Sequence, residues 1–178
     1  MTQAYCYWFT GLSGAGKSTI AGELVPLLRE RGENPFILDG DVLRQGLCRD
    51  LGFSEADRTE NQRRVAEVAA ILLQVGVSPI VAFISPLANA REEARRIVGS
   101  ERFYEIYINT PLDVAEARDP KGLYKKVRAG LIAEFTGISS PFEVPEHADC
   151  VVPTVDRTPY ECARQIVEEL AGGGKERG

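Results

Sequence analysis

The chain has 178 residues, of which 44% are hydrophobic and 26% charged, and its formal net charge is −5. The composition is typical of a soluble globular protein, and the length suits one compact domain, which we expect to span residues 1–178. The acidic balance argues against a nucleic-acid or anionic-membrane partner, because such binding draws on excess positive charge. No apolar run approaches the roughly 20 residues that cross a bilayer, and the N-terminus lacks a signal-peptide pattern.

The four cysteines do not form a recognisable metal or disulfide pattern. They lie at Cys6, Cys48, Cys150 and Cys162, without a CxxC pair and without histidine at zinc-finger spacing. A structural zinc site is therefore not expected. Reduced thiols of this kind are typical of a cytoplasmic protein.

Apolar runs alternate with amphipathic stretches along the chain. The runs predict five buried strands, at 4–10, 35–38, 78–84, 103–108 and 150–152. The amphipathic stretches predict helices at 16–31, 41–50, 60–75, 90–98, 111–118 and 159–170, with Thr158 as the cap of the last. This alternation is typical of an α/β fold with a mostly parallel five-stranded sheet.

One long segment breaks the alternation. Residues 119–147 contain several glycines and prolines among many charges and show no strand pattern. A segment of this length inside a compact domain is usually functional, so we predict a mobile lid. The glycine-rich residues 172–178 are predicted to be a frayed tail.

A phosphate-binding loop follows the first predicted strand. Residues 11–18, GLSGAGKS, match G-x-x-x-x-G-K-[ST] and open the first predicted helix. Glycines allow backbone N–H groups to surround phosphate oxygens, while Lys17 can reach the β- and γ-phosphates and Ser18 can bind Mg²⁺. The motif predicts nucleoside triphosphate binding in a three-layer fold of the P-loop kinase type.

The carboxylates after the second strand narrow the class of enzyme. A guanine-reading NKxD motif is absent, which argues against a GTPase, and strand 78–84 ends in Ser85 rather than the carboxylate of a large ATPase motor. The short strand 35–38 instead precedes Asp39 and Asp41. Carboxylates at this edge can hold Mg²⁺ or orient an acceptor hydroxyl, although Asp41 could instead cap the next helix.

Basic and aromatic residues further along could bind an anionic acceptor. Guanidinium groups pair with phosphate or sulfate, and five arginines are candidates, with solvated helix positions as the alternative for each: Arg44, Arg49, Arg58, Arg63 and Arg64. Phe53 and Phe135 lie in polar, glycine-flanked surroundings, where they could sandwich a base or pack in the core.

Several longer segments carry a family resemblance. They are residues 11–19, 39–41 with Arg44, 51–54, 57–58, 60–64, 83–86, 118–126 (RDPKGLYKK), 135–138 (FTGI) and 141–143. With them the sequence resembles the adenylylsulfate kinase family, small P-loop kinases of sulfate assimilation, from the first strand to about Val152. The phosphate loop is generic, whereas the RDPKGLYKK and FTGI segments are highly specific.

The resemblance implies a reaction and its small-molecule partners. ATP would phosphorylate the ribose 3′-hydroxyl of adenosine 5′-phosphosulfate (APS), with Mg²⁺ as the metal. The implied ATP-binding residues are Gly11, Leu12, Ser13, Gly14, Ala15, Gly16, Lys17, Ser18 and Thr19, joined by Arg118 on analogy with small kinases generally. Ser18 and Asp39 would hold the metal. A dimer is common in the family, so a homodimer is expected.

The resemblance also assigns acceptor and catalytic residues. Arg44, Arg58 and Asn61 would hold the phosphosulfate, Phe53 and Phe135 would stack on the adenine, and Lys121 would sit in the lid. Asp41, Ile84 and Ser85 complete the acceptor site, and Lys17, Asp41 and Ser85 form the catalytic set. Ser85 matches a serine often described in the family as a phosphoserine intermediate. We favour direct in-line transfer, because positioning and charge neutralisation suffice for phosphoryl transfer.

The sequence departs from the family pattern at a few positions, and two other functions stay open. Leu87-Ala88 replaces Tyr-Arg, Ser139-Ser140 replaces an acidic pair, and Val42, Leu131 and Glu134 are also unusual. These departures bear on lid dynamics and substrate affinity. The alternatives are a kinase for another small metabolite, such as a nucleoside monophosphate, gluconate or shikimate, and a non-catalytic nucleotide-binding subunit of a sulfate-activating assembly.

Overall fold

The computed structural model describes residues 3–172, which form a parallel sheet between two layers of helices. The strands are β1 (Cys6–Thr10), β2 (Pro35–Asp39), β3 (Ser78–Ala82), β4 (Phe103–Asn109) and β5 (Cys150–Pro153). The helices are α1 (Lys17–Glu30), α2 (Gly40–Gln45), α3 (Glu55–Gln74), α4 (Ala88–Val98), α5 (Leu112–Arg118), α6 (Leu123–Arg128) and α7 (Pro159–Gly172). The predicted α/β class and the five-stranded parallel sheet are confirmed.

The strand order places the phosphate loop at the centre of the sheet. The order is β2-β3-β1-β4-β5, and every neighbouring pair is parallel. All carboxyl ends therefore meet at one edge, with β1 in the middle and β2 and β3 beside it. Ligands of open parallel sheets bind at this edge.

Two apolar cores hold the layers together. On one face Leu24 and Ile166 bring α1 and α7 against the sheet, and both are fully buried. On the other face Trp8 packs with Val65 of α3 and Ala94 of α4. Burial of apolar side chains on both faces explains why β1 and β3 are continuous apolar runs rather than alternating ones.

Two predicted helices have different bounds. The helix predicted for 41–50 ends at Gln45, and residues 46–50 form turns after Gly46. The helix predicted from residue 60 begins at Glu55, because the Ser54 hydroxyl accepts a 3.1 Å hydrogen bond from the Asp57 amide and caps it. The other predicted elements agree with the structure to within two residues at each end.

The segment predicted as a lid has more structure than its sequence pattern indicated. It contains α6, and Tyr124 and Phe135 are buried in a small apolar cluster with Ala115. The mobility of residues 119–147 stays a prediction. Gly172 closes α7, and the rest of the predicted tail, 173–178, lies outside the described residues. Within 3–172, no helix is both long and apolar enough to cross a membrane.

Candidate active site

The phosphate loop turns sharply between β1 and α1. Gly14 has a φ of 74°, and a Cβ atom there would lie 2.8 Å from the Ala115 carbonyl oxygen. A Cβ atom on Gly11 would lie 2.7 Å from the Ile108 carbonyl oxygen. Any other residue would clash at Gly11 and Gly14 because of the close approach of β4 and α5, whereas the motif's second glycine, Gly16, is required by its φ of 99°.

The start of α1 offers unpaired backbone donors. Gly16 precedes the helix and provides no side-chain cap, so the amides of Lys17, Ser18 and Thr19 lack the partner that a capping residue supplies. Together with the helix dipole, these amides favour a bound phosphate.

The Lys17 side chain is buried against the backbone of the phosphate loop. Its ammonium donates to the carbonyl oxygens of Gly11 (2.9 Å) and Leu12 (2.6 Å). Burial is the main cause that lowers the pKa of Lys17 to about 7. The positive charge of Lys121 also lowers it, whereas the negative charges of Asp41 and Asp39 raise it and so oppose part of the shift. A phosphate group brought to this loop would restore the charged form.

Ser18 and Asp39 are held together at the edge of the sheet. The Ser18 hydroxyl donates a 3.0 Å hydrogen bond to one Asp39 oxygen, and the other oxygen accepts from the Asp41 amide at 2.9 Å. Asp39 thus caps α2 while facing the phosphate loop. Among residues 3–172 no cluster of three or more histidine, cysteine or acidic side chains could enclose a metal. Mg²⁺ in kinases needs only one or two protein oxygens, so this hard-oxygen pair fits it.

Asp41 lies at the start of α2 and pairs with the segment predicted as a lid. Its carboxylate accepts from the ammonium of Lys121, and both side chains are more than half exposed. Lys121 belongs to the turn before α6. The Asp119 carboxylate accepts hydrogen bonds of 3.1 Å from the Tyr124 and Lys125 amides and so holds the first turn of α6. The pair of Asp41 and Lys121 therefore joins this segment to the edge of the sheet above the phosphate loop.

Three of the five candidate arginines, Arg44, Arg49 and Arg58, form no ion pair within the described residues, and Arg49 is exposed. Arg44 donates to the Gly52 carbonyl at 2.9 Å, and Arg58 donates to the Phe53 carbonyl at 2.8 Å. Partial burial, together with the charge of Arg44, lowers the pKa of Arg58. By contrast, Arg63 and Arg64 pair with acidic groups, Glu60 among them. Arg44 and Arg58 thus lie close enough to affect each other without a counterion, which would favour a bound anion, and their role in binding one stays a prediction.

Asn61 adds an unused donor one turn after Arg58. It is 4% exposed, and its side-chain amide nitrogen has no hydrogen-bond partner within residues 3–172. An unpaired buried polar group costs about 1–3 kcal/mol, so this nitrogen is open to a water or ligand acceptor, as is the neighbouring Gln62 side-chain oxygen. The predicted role of Arg44, Arg58 and Asn61 in holding a phosphosulfate stays a prediction.

The two predicted stacking rings differ in exposure. Phe53 is 63% exposed, with the Arg44 guanidinium 4.5 Å from its ring centre. Phe135 is 7% exposed and contacts Tyr124 edge to face at 5.0 Å. Arg58 joins their loops, since it also donates to the Thr136 hydroxyl at 2.5 Å. Phe53 is available to a base, whereas Phe135 already packs in the lid cluster, and its stacking role stays a prediction.

Ile84 and Ser85 form the turn that follows β3. The Ile84 carbonyl accepts from the Gly11 amide at 3.1 Å, which fixes this turn against the phosphate loop. Ser85 is 2% exposed and has a φ of 44°, and its hydroxyl accepts a 3.0 Å hydrogen bond from the Trp8 indole. A buried hydroxyl with a fixed partner is poorly placed to carry a phosphoryl group.

Arg118 ends α5 on the other side of the phosphate loop. Its guanidinium donates to the Thr154 hydroxyl (3.2 Å) and carbonyl (3.0 Å), after β5. A cavity of about 370 Å³ lies between this arginine and α6, lined also by Tyr124 and Lys125. Arg118 thus borders this cavity, and its role in nucleotide binding stays a prediction.

A second cavity adjoins the phosphate loop. It has a volume of about 560 Å³ and lies between Leu12, the β4–α5 turn and residues 137–144. Of the predicted site residues it contacts only Leu12. Arg44, Arg58 and Asn61 do not line this cavity, so it adds no contact to the predicted acceptor site.

Some residues of the site were not predicted to have a role. Tyr124 donates its hydroxyl to the Ser13 carbonyl at 2.8 Å and so ties α6 to the phosphate loop. Trp8 holds the Ser85 hydroxyl, and Thr10 donates to the Ile84 and Ser85 carbonyls at 2.9 and 3.0 Å. All three contacts cross long stretches of chain. The only sequence signal was the position of Trp8 and Thr10 in the strand that enters the phosphate loop.

The fold and the phosphate loop define a P-loop kinase. The structure resembles a gluconokinase from Sinorhizobium meliloti with a TM-score of 0.65, covering 97% of this chain and 94% of that one. The identity is 16%, so this likeness concerns the fold alone.

Closer relatives identify the family. The model of the adenylylsulphate kinase family matches residues 3–153. Adenylyl-sulfate kinase of Shewanella amazonensis is 52% identical over 94% of this chain and 84% of that protein, and that of Pseudomonas aeruginosa is 51% identical over 92% and 83%. The APS kinase CysC of Mycobacterium tuberculosis, solved with AMPPNP and APS, is 45% identical with a TM-score of 0.91, covering 96% of this chain and 99% of that one.

The chain therefore belongs to the adenylylsulfate kinase family and is an ATP-dependent phosphotransferase. The resemblance noted in the sequence is confirmed.

Proposed function

We propose that the site transfers the γ-phosphoryl group of ATP to the 3′-hydroxyl of APS, giving 3′-phosphoadenosine 5′-phosphosulfate. The relatives at about 50% identity carry the adenylyl-sulfate kinase name, and the Mycobacterium tuberculosis relative was solved with APS and an ATP analogue. The observation that carries the choice of acceptor is the group of Arg44, Arg58 and the unpaired Asn61 amide, which suits a doubly anionic phosphosulfate.

ATP binds with its phosphates in the loop of residues 11–16. The free amides at the start of α1 and the Lys17 ammonium neutralise the β- and γ-phosphates, and Arg118 lies at the nucleoside end. Lys17 must exchange its contacts with the Gly11 and Leu12 carbonyls for phosphate oxygens. ATP binding is therefore coupled to the charge state of this lysine.

Ser18 and Asp39 are the residues that would hold Mg²⁺. Their oxygens are 3.0 Å apart beside the phosphate loop, and both are hard ligands of the kind that Mg²⁺ prefers. When bound there, the metal supplies positive charge to the β- and γ-phosphates.

The acceptor lies on the other side of the transferred group. Phe53 provides an exposed ring for the adenine, with Phe135 on the facing loop, while Ile84 and Ser85 line the floor next to the phosphate loop. Asp41 accepts the proton of the 3′-hydroxyl as its oxygen bonds to the γ-phosphorus and the bond to the ADP oxygen breaks. Lys121, from the lid, places positive charge at the same point. The transfer is direct, so no bond to Ser85 forms.

The cysteines bear on the cellular location of the enzyme, and its relatives bear on its oligomeric state. Cys6, Cys48, Cys150 and Cys162 are free and buried, which supports a reducing, cytoplasmic location. A homodimer is the expected assembly. One relative, from Thiobacillus denitrificans, was solved as a hexamer, although this chain covers only 30% of that one.

A coupled assay of ADP release tests the acceptor. With Mg²⁺ and ATP, APS should support turnover, whereas adenosine monophosphate, gluconate and shikimate should not. Turnover with one of the latter and none with APS would contradict the proposal. Binding of nucleotide without turnover on any acceptor would favour the non-catalytic alternative.

A further inference from the structure

Arg91 is a buried arginine that contacts three separate segments. It lies on α4, is 3% exposed, and forms an ion pair with Glu105 of β4 at 2.7 Å. Its two other nitrogens donate to carbonyl oxygens, one to Ser85 at 2.8 Å and one to Glu143 at 2.9 Å. One side chain therefore joins the sheet, the turn after β3 and the segment after the Phe135 loop.

Glu143 completes the same junction from the other side. Its amide donates to the Pro86 carbonyl at 2.8 Å, and its carboxylate accepts from the Ala88 amide at 2.5 Å. Ala88 begins α4, and the preceding Leu87 offers no side-chain cap. The carboxylate of Glu143 therefore acts as the cap, and it fixes residues 141–144 onto the turn that contains Ser85.

The turn needs this support because its backbone is strained. Ser85 has a φ of 44°, a left-handed conformation that is unfavourable for a non-glycine residue. Its carbonyl accepts from both Arg91 and the Thr10 hydroxyl, and the Ile84 carbonyl accepts from the Gly11 amide. Hydrogen bonds on both sides of the turn thus hold Ile84 and Ser85 at a fixed distance from the phosphate loop.

We propose that Arg91 and Glu143 are positioning residues that hold the two loops of the acceptor site, one with Ile84 and Ser85 and one with Phe135, in a fixed relative position. The inference rests on the proposed function, because it concerns where APS binds. The guanidinium of Arg91 donates from three different nitrogens of a rigid plane, whereas the three donors of a lysine all lie on one nitrogen and cannot reach the same three partners. Loss of these contacts should therefore weaken APS binding more than ATP binding.

Arg95 provides a matched control on the same helix. It is also largely buried and belongs to the same charge network, with ion pairs to Glu105 at 3.4 Å and Asp149 at 2.9 Å. Its hydrogen bonds within residues 3–172 go to Phe103, Glu105 and Asp149, and so do not include either acceptor loop. A general effect of disturbing the network should appear equally in both arginines.

The test is steady-state kinetics of Arg91→Lys and Arg95→Lys with each substrate varied in turn. For Arg91→Lys we expect the KM for APS to rise about tenfold or more, with the KM for ATP within about twofold of wild type. For Arg95→Lys both KM values should stay within about twofold. Equal changes in the two variants, or an equal rise of both KM values in Arg91→Lys, would overturn the inference.

A second pair of variants keeps the test valid if Arg91→Lys does not fold. Glu143→Ala removes the cap, whereas Glu143→Gln keeps an oxygen that can accept from the Ala88 amide. The alanine variant should raise the KM for APS selectively, and the glutamine variant should restore most of the loss. No effect of Glu143→Ala, or no rescue by glutamine, would overturn the inference.

Trp8, the only tryptophan of the chain, gives a readout independent of turnover, because its indole bonds to Ser85. APS titrations of the wild type and the variants, followed by Trp8 fluorescence, should rank the affinities for APS in the same order as the KM values for APS. A different order would count against the inference. Lack of wild-type turnover with APS would instead overturn the proposed function and this inference with it. Wild-type turnover together with unselective variants overturns the inference alone.

Discussion

The indole of Trp8, in the middle of β1, donates a 3.0 Å hydrogen bond to the hydroxyl of Ser85, which ends the turn after the neighbouring strand β3. Both side chains are buried, Trp8 completely. The serine whose sequence context suggests a phosphorylated intermediate is thus engaged with the core of the protein. Its observed role is to complete a hydrogen bond next to a strained turn.

Ser85→Ala should therefore remain active. We expect kcat to fall by less than about tenfold, which corresponds to roughly 1.4 kcal/mol, because direct transfer needs no bond to this oxygen. Stability should fall by about 1–3 kcal/mol, since the Trp8 N–H loses its acceptor. Kinetics and thermal unfolding of Ser85→Ala, with Trp8→Phe as the control that removes the donor instead, would check this. Abolished turnover with intact binding of APS and ADP would indicate a covalent route.

The depressed pKa of Lys17 should make nucleotide binding depend on pH. The pKa is lowered from 10.5 to about 7 in the folded protein, so between these values the unfolded chain binds more protons. The contribution of Lys17 to the free energy of unfolding therefore rises as the pH increases from about 7 to about 10.5, and it is least favourable below 7. Bound phosphates reverse the shift and restore the ammonium.

Binding of ADP at pH 8 should accordingly take up on the order of one proton. Titration calorimetry in buffers of different ionisation enthalpy measures this uptake directly. Lys17→Met should abolish it along with most of the affinity. Binding of ADP to the wild type at pH 8 without proton uptake would show that Lys17 is already charged there.

Arg58 should determine affinity for the acceptor. Its side chain lacks an acidic partner among the described residues and lies one turn before the unpaired Asn61 amide. Arg58→Lys should raise the KM for APS by about 10- to 100-fold, because a bidentate contact is lost, and should change the KM for ATP by less than about twofold. Arg63→Lys is a suitable control, since Arg63 lies on the same helix but is exposed and paired with Glu60. A similar effect of both substitutions would contradict the assignment of Arg58.

The lid should become resistant to protease when both ligands are bound. Lys121 contacts Asp41 through an exposed pair, and such pairs contribute at most about 1 kcal/mol, so the ligand-free lid is held weakly at this point. Trypsin should cleave after Lys121, Lys125 or Lys126 readily without ligand and slowly with ADP and APS. Tyr124→Phe removes the hydrogen bond to Ser13 and should speed cleavage in the free enzyme. Equal cleavage rates with and without ligands would argue against a lid.

Local patterns in the sequence predicted most of the fold. The five strands and the phosphate loop followed from apolar runs and from glycine spacing, because both depend on neighbouring residues. Helix α6 was missed, since its six residues are too few to show a period, and it is stabilised by burial of Tyr124 against Ala115. That contact is tertiary, and local sequence does not specify it.

Site residues could be predicted where a sequence motif specifies the residue type. They were harder to predict where a residue's role depends on its burial and its partners in the folded chain. Five arginines looked alike in sequence, and in the structure ion pairs set Arg63 and Arg64 apart. Of the others, Arg44 and Arg58 bond to the carbonyls of residues 52 and 53, whereas Arg49 is exposed. Ser85 illustrates the same limit, because its hydroxyl is occupied by a tryptophan 77 residues away. No sequence pattern singled out Arg91, because its three partners belong to segments that meet only in the folded chain.

The position of the transferred phosphoryl group tests the central claim most directly. The purified protein would be incubated with Mg²⁺, APS and ATP labelled in the γ-phosphate, and the product treated with a 3′-nucleotidase. We predict that the label appears in a product of APS and is released by the nucleotidase as inorganic phosphate. Label that stays in ATP, appears on Ser85 as a stable end product, or resists the 3′-nucleotidase would contradict direct transfer to the 3′-hydroxyl.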